Sequence, residues 1–285
     1  MVAVSSFFRG RRAVLLTKHK KERVIKPLFE EATGCQVLVE ADFDTDLFGA
    51  FTRETARPGT QLEAARLKAS KAMELHDVDL ALASEGSFGP HPVVPFVPLN
   101  REIVLLVDAR EGLEICGEYA SSETNYEQKL VTNWSETEQF AVKIGFPDHY
   151  LVLRPDHDRH TSIIKDIHSW EGLREALEWG LVRSATGQVY LETDMRAHAN
   201  PTRMQNIKKA AADLVEKVCQ QCPACGAPGF AVAEKKKGLP CEWCGQPTGE
   251  VAASVFRCLS CAFVKEELAP PGVKAPAGRC FYCNP

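Results

Sequence analysis

The chain has 285 residues, of which 45% are apolar and 25% charged, with a formal net charge of -4. That is enough chain for one sizeable core and a smaller module, and the charge excludes a global attraction to nucleic acid or anionic lipid, so any polyanion site must be local. No apolar run is long enough to cross a bilayer, and residues 1–8 are too short for a secretory core and have their arginines on the wrong side, so the expected compartment is the cytoplasm, without a membrane partner.

Residues 13–17 read as a short apolar strand, and Val24, Ile25, Leu28, Phe29 and Ala32 mark a helix that Gly34 stops. Pro27 suits only a first turn, where its missing amide proton has no intrahelical acceptor, which places the helix start between Lys21 and Val24. Lys18, Lys20 and Lys21 then lie in a strand-to-helix connection, where free amides and the macrodipole favour anions. The other reading of this stretch is a solvated basic turn.

A second strand is expected over 35–41, followed by the acidic Asp42, Asp44 and Asp46. Arg53, Glu54 and Arg57 then lead to the turn Pro58-Gly59. Thr60 and Glu63 form a capping box. Leu62, Ala65, Ala69, Ala72 and Met73 recur on one helical face, which leaves Arg66, Lys68 and Lys71 to the surface. After Asp77, Val78, Leu80 and Leu82 alternate with Asp79, Ala81 and Ala83 as a buried strand that Ser84-Glu85-Gly86-Ser87 is expected to close as a polar turn. The alternation of strands and helices predicts an α/β fold with a mixed or parallel sheet flanked by helices. Ligands of such sheets sit beyond the carboxyl ends of strands, which makes Glu85 a candidate for chemistry; the alternative is a solvated turn.

The four prolines of 89–98 predict an extended connector, and strands over 102–108 and 113–119 read as a hairpin. A short helix over 136–143, a strand over 150–153, a helix capped by Ser169, a strand over 189–193 and a helix over 201–217 complete this part. The last helix has Met204, Ile207, Ala211 and Leu214 on its buried face. The charged run 156–160 lacks the helical spacing of a metalloprotease site and reads as a turn. Asp194, Arg196, His198 and Arg203 gather at the join of the last strand and helix.

Several of these stretches, in this order, resemble the house-cleaning pyrophosphatases that hydrolyse inosine and xanthosine triphosphates. They are Thr17 with Lys20 and Lys21; Thr60, Glu63, Ala65, Lys68 and Ala69; Ala83 to Ser87; Gly145-Phe146-Pro147-Asp148; and Thr202-Arg203 before Ala210-Ala211. That family usually has asparagine at the position of His19, paired aspartates at Ser84-Glu85 and His-Arg at Thr202-Arg203. The resemblance implies that Lys18, Lys20, Lys21 and Arg203 neutralise phosphates, with Lys68 facing the same cleft. It also implies that Glu63, Glu85 and Asp148 hold Mg²⁺ or orient the attacking water. Structural alternatives stand beside it: Glu63 as a helix cap, Lys68 as a solvated side chain, Arg203 as the partner of Asp194.

Nine of the eleven cysteines fall after residue 218, eight of them as Cys-x-x-Cys pairs: Cys222 and Cys225, Cys241 and Cys244, Cys258 and Cys261, Cys280 and Cys283. Eight thiolates suffice for two closed, structural Zn²⁺ sites in a reducing compartment. Strands over 229–234, 251–257 and 262–267 put knuckles one and three at one end and two and four at the other. The preferred pairing is therefore crossed, with sequential pairing as the alternative. The chain thus divides into an α/β domain, 1–217, and a double zinc-ribbon module, 218–285. Cys35 and Cys116 read as small buried hydrophobes, and Cys219 is left over.

Lys235-Lys236-Lys237 at an expected hairpin tip, with Trp243, Phe281 and Tyr282 inside knuckles, suggests a nucleic-acid or protein partner; solvated lysines and rings packed around the metal are the alternative. Two functions follow as expectations. One is binding, with Mg²⁺-dependent hydrolysis, of a nucleotide or other phosphorylated small molecule; the other is a non-enzymatic zinc-ribbon binding protein.

Overall fold

A computed structural model describes residues 6–45 and 59–285; Asp46, Arg53, Glu54, Arg57 and Pro58 lie outside the described residues. The first sheet has five strands in the order β2-β1-β3-β4-β5. They are β1 (Arg12–Leu16), β2 (Gln36–Glu40), β3 (Leu80–Pro90), β4 (Pro98–Asp108) and β5 (Leu113–Ser121). β1 pairs in parallel with β2 and β3, while β3, β4 and β5 run antiparallel. Of the mixed or parallel sheet expected from the sequence, the mixed form is the one observed.

Strand parity assigns each side chain to a layer. Ala13, Leu15, Leu80, Leu82, Val104 and Leu106 pack with helices α1 (Glu22–Thr33) and α5 (Pro201–Cys219). On the opposite face Val14, Leu16, Ala81, Ala83 and Leu105 meet Ala65, Ala69 and Ala72 of α2 (Gln61–His76). The capping box is present: Thr60 Oγ1 accepts from the Glu63 amide at 3.2 Å, and Glu63 Oε2 accepts from the Thr60 amide at 2.6 Å. Helix α1 starts at Glu22, within the expected window, but Pro27 falls in its second turn and not its first. Its exposed position leaves the unpaired carbonyl of Arg23 on the solvent side.

Gly117 on β5 shows how closely the last helix lies on this sheet. A Cβ there would run into the carbonyl of Ala210 and the amide of Leu214, main-chain atoms that cannot step aside. Gly117→Ala is expected to lower stability by about 1–3 kcal/mol in urea unfolding, the range for overpacking; an unchanged midpoint would show that α5 is not seated there.

A second sheet, not anticipated as a separate layer, is inserted between β5 and α5. Its order is β6-β9-β7-β8, all antiparallel: β6 (Gln128–Val131), β7 (Leu151–Pro155), β8 (Ile164–Ile167) and β9 (Val189–Thr193). Helices α3 (Trp134–Ile144) and α4 (Trp170–Arg183) cover it around Phe140, Leu151, Leu153, Leu173 and Leu191. Beyond α5, β10 (Ala231–Lys237), β11 (Val251–Arg257) and β12 (Val264–Leu268) form a three-stranded antiparallel sheet. Lys235, Lys236 and Lys237 belong to β10, paired along β11, and do not form a hairpin tip.

The polar turn expected at 84–87 is not a turn. Residues 84–87 continue β3, and their register partners on β4 are Val104, Ile103, Glu102 and Arg101. The extended connector expected over 89–98 shrinks to 91–97, between the two long strands. An antiparallel partner satisfies the main chain of 84–90 wherever it runs, so the strand outlasts the apolar core and brings polar residues into the interior.

Candidate functional site

Where β3 and β4 outrun the apolar core, they hold Glu85 and Glu102 in the protein interior, 4% and 0% exposed. Glu85 points to the α2 face and pairs with the Lys68 ammonium. Glu102, on the α5 face, accepts from Arg203 Nε at 2.8 Å and from Asn100 Nδ2 at 2.8 Å. Asn206 Nδ2 in turn donates to Asn100 Oδ1 at 2.8 Å, and Arg203 also donates to the carbonyl of Met195. Arg203 is the N3 residue of α5, whose Asn200 cap accepts from the Arg203 amide at 2.9 Å. Gly86 faces Glu102 in the register; a Cβ there would strike both the Arg203 guanidinium and the Glu102 carboxylate.

Lys21, at the start of α1, completes the cluster. Its Nζ donates to the Ser84 carbonyl at 2.8 Å and lies 3.5 Å from Ser84 Oγ, and no carboxylate among the described residues is within ion-pair distance. Burial, with Arg203 and Lys68 nearby, brings this amine down to about 7, against the pull of Glu85 and Glu102. Thr17, just past β1 and 4% exposed, has a buried hydroxyl without a hydrogen-bond partner among the described residues. By strand parity it lies on the α1 and α5 face with Ala13 and Leu15. Lys21 therefore sits past the carboxyl end of β1 and midway along β3, where it feels both ion pairs, Lys68 with Glu85 on the α2 face and Arg203 with Glu102 on the α5 face.

His19 joins this cluster to the second sheet. Burial, then the charges of Lys21, His198, Arg203 and Arg196, hold its imidazole down at about 2, so it is neutral. Its ring stacks on His198 with centroids 5.2 Å apart. Arg196 pairs with Asp194 and, at 2.8 Å, with Asp166.

Of the residues singled out from the sequence, Lys21, Lys68, Glu85 and Arg203 come together. Lys68 is buried, not on the surface, and Arg203 pairs with Glu102, not Asp194. Lys18 is exposed and 2.7 Å from Asp44, Lys20 is exposed with φ +60°, and Asp148 is exposed in the turn after α3. Glu63 is committed to the capping box on the outside of α2.

The cysteines form two groups of four. Cys222, Cys225, Cys258 and Cys261 make one and Cys241, Cys244, Cys280 and Cys283 the other, with the sulfurs of each within 4.8 Å of one another. This is the crossed pairing. Across knuckles the sulfurs are 3.6–3.8 Å apart, close to the edge of about 3.8 Å of a tetrahedron whose corners lie ~2.3 Å from a central ion. Main-chain amides of Cys244 and then Trp243 bring the Cys241 thiol down to about 7, toward the thiolate a metal requires. Cys219 stands outside both groups, and burial pushes Cys35 and Cys116 up to about 11.

A family described as a domain of unknown function, DUF6671, matches residues 68–285. The chain belongs to that family. No curated protein matches it. The DUF6671 match takes in Lys68, Glu85, Glu102, Arg203 and all eight paired cysteines, while Thr17 and Lys21 come from the segment before it.

Glu102 is the DUF6671 residue that sequence reasoning passed over. Its signal was parity: it shares a strand face with Val104 and Leu106, so a carboxylate stands on a core face and requires a buried cation. Which cation could not be read locally, since Arg203 is 101 residues away.

Proposed function

We propose that the buried cluster binds the phosphate of a nucleotide or other phosphorylated small molecule. The observation that carries this is Lys21: a buried amine without a carboxylate partner among the described residues, beside two cations whose charges are already matched. An anion entering there gains the surplus cation, and the Thr17 hydroxyl offers it an unused donor. The order of motifs shared with the inosine and xanthosine triphosphate pyrophosphatases supports the same reading and suggests hydrolysis. Mg²⁺ does not fit the residues as they stand, because Glu85 is held by Lys68 and Glu102 by Arg203.

Calorimetric titration with pyrophosphate and with nucleoside triphosphates tests the proposal. The ammonium form of Lys21 predominates below about pH 7 and the neutral amine above it. Anion affinity is therefore expected to fall as pH rises through 7, with proton uptake on binding at pH 8. Lys21→Met should abolish both the affinity and the pH dependence; binding unchanged in that variant would remove the assignment.

The cysteine groups suit Zn²⁺ in a structural role: four thiolates close a tetrahedron and leave no open position for chemistry. All eight are free thiols, which suits a reducing cytoplasm. A second reading rests on Trp243, Phe281 and Tyr282, exposed by 78%, 78% and 66% at the second group. These rings are placed to stack on a base or a protein partner, and an absence of phosphate binding would favour that non-enzymatic role.

A further inference from the structure

Among the described residues, one acid–base pair near the cations is used by neither the fold's core nor the phosphate reading. His198 Nε2 lies 3.0 Å from Asp166 Oδ1, and its ring is only partly exposed. If Asp166 accepts the Nε2 proton, as a carboxylate must, the lone pair is left on Nδ1, which has no protein partner among the described residues. That is the arrangement of a general base: one nitrogen fixed by a carboxylate, the other left without a partner among the described residues.

Two further features set this pair apart from a surface ion pair. Asp166 has φ +59°, a left-handed conformation uncommon for a residue other than glycine, inside the short strand β8. Arg196 holds the same carboxylate at 2.8 Å while gripping Asp194, so Asp166 is located from two sides. The groups that face the His198 ring are His19, stacked at 5.2 Å, Tyr150, edge-on at 6.4 Å, and Asp166. His19 in turn feels Lys21 and Arg203, so His198 is one ring away from the buried cations.

We propose that His198, positioned by Asp166, is the proton-transfer group for hydrolysis of a phosphoanhydride held by Lys21 and Arg203. This rests on the reading of those cations as a phosphate site. In the step, a water oxygen attacks phosphorus and its proton passes to His198 Nδ1. The bond from phosphorus to the bridging oxygen breaks, and its electron pair leaves with the departing phosphate, which takes a proton from Lys21 or solvent. The imidazolium then returns its proton to solvent. His19 cannot substitute, because its burial among cations keeps it from accepting the proton.

The test uses the whole protein with adenosine, guanosine and inosine triphosphates, reading phosphate and pyrophosphate release against pH beside calorimetric binding of pyrophosphate. His198→Ala and His198→Gln should each reduce turnover by about 10²–10⁴-fold, the usual contribution of such a group, and leave pyrophosphate affinity within about twofold. Added imidazole should restore turnover in His198→Ala but not in His198→Gln, where the cavity is filled. Asp166→Asn should lower kcat with little change in KM or in pyrophosphate affinity, because the imidazole loses the carboxylate that orients it. Pyrophosphate binding without turnover of any of the three, or turnover unaffected in both His198 variants, would overturn the dyad and spare the anion site. Absence of pyrophosphate binding would overturn the anion site and the dyad with it.

Discussion

Stripping the metal with a chelator should leave residues 218–285 without a fold while both sheets of the preceding part keep theirs. The module is built on very little apolar material: its two clusters contain, besides four buried cysteines, only Ala227, Phe230 and Ala277, with Phe256 beside them. Its strand β12 is exposed along its whole length. A core this small does not offset the chain entropy of some seventy residues, so the folding energy is expected to come from metal held by the two cysteine groups, which would supply roughly 10–16 kcal/mol for each ion if they hold zinc. Hydrogen exchange read by mass spectrometry separates the outcomes. Amides of β10, β11 and β12 should lose protection on chelation, while those of β1, β3 and β4 keep it. Elemental analysis of the untreated protein should find two zinc ions per chain. Protection of β11 that survives verified metal removal would mean that the strands, and not the ions, hold this module together.

Arg203→Met is expected to lower stability by about 3–5 kcal/mol, the cost of leaving a buried carboxylate without its cation. Arg203 and Glu102 both have fully buried side chains, joined at 2.8 Å, and among the described residues the Glu102 carboxylate has otherwise only the Asn100 amide. Removing the charge on both sides should cost less: Arg203→Met with Glu102→Gln is expected to recover part of the loss, because nothing ionised is then stranded. A double-mutant cycle in urea measures this coupling. Additive losses, or a single-variant loss below 1 kcal/mol, would mean that the two groups do not depend on each other.

The local signals that succeeded were those whose cause lies within a few residues. Thr60 and Glu63 satisfy each other's amides across one helical turn, and Ser169 caps its helix through a side chain three positions before the bonded amide, as Asn133 and Asn200, which the sequence reading had not singled out, also do. Pro27 misled because its tolerance depends on which face of α1 is solvated, not on its place in the sequence. Ser84 to Ser87 misled for a related reason. Small and polar residues read as a turn unless a neighbouring strand is known to take up their hydrogen bonds, and β4 does so.

The sequence by itself favoured the crossed cysteine pairing over the sequential one and determined the order of strands and helices up to β3 and the buried faces of α2 and α5, because spacing and periodicity act over short distances. Only the tertiary structure decided that Lys21, Lys68, Glu85, Glu102 and Arg203 share one interior. A buried charge is matched by whatever opposite charge the fold brings within a few ångströms. Between Glu102 and Arg203 lies the whole second sheet, over which no local pattern extends.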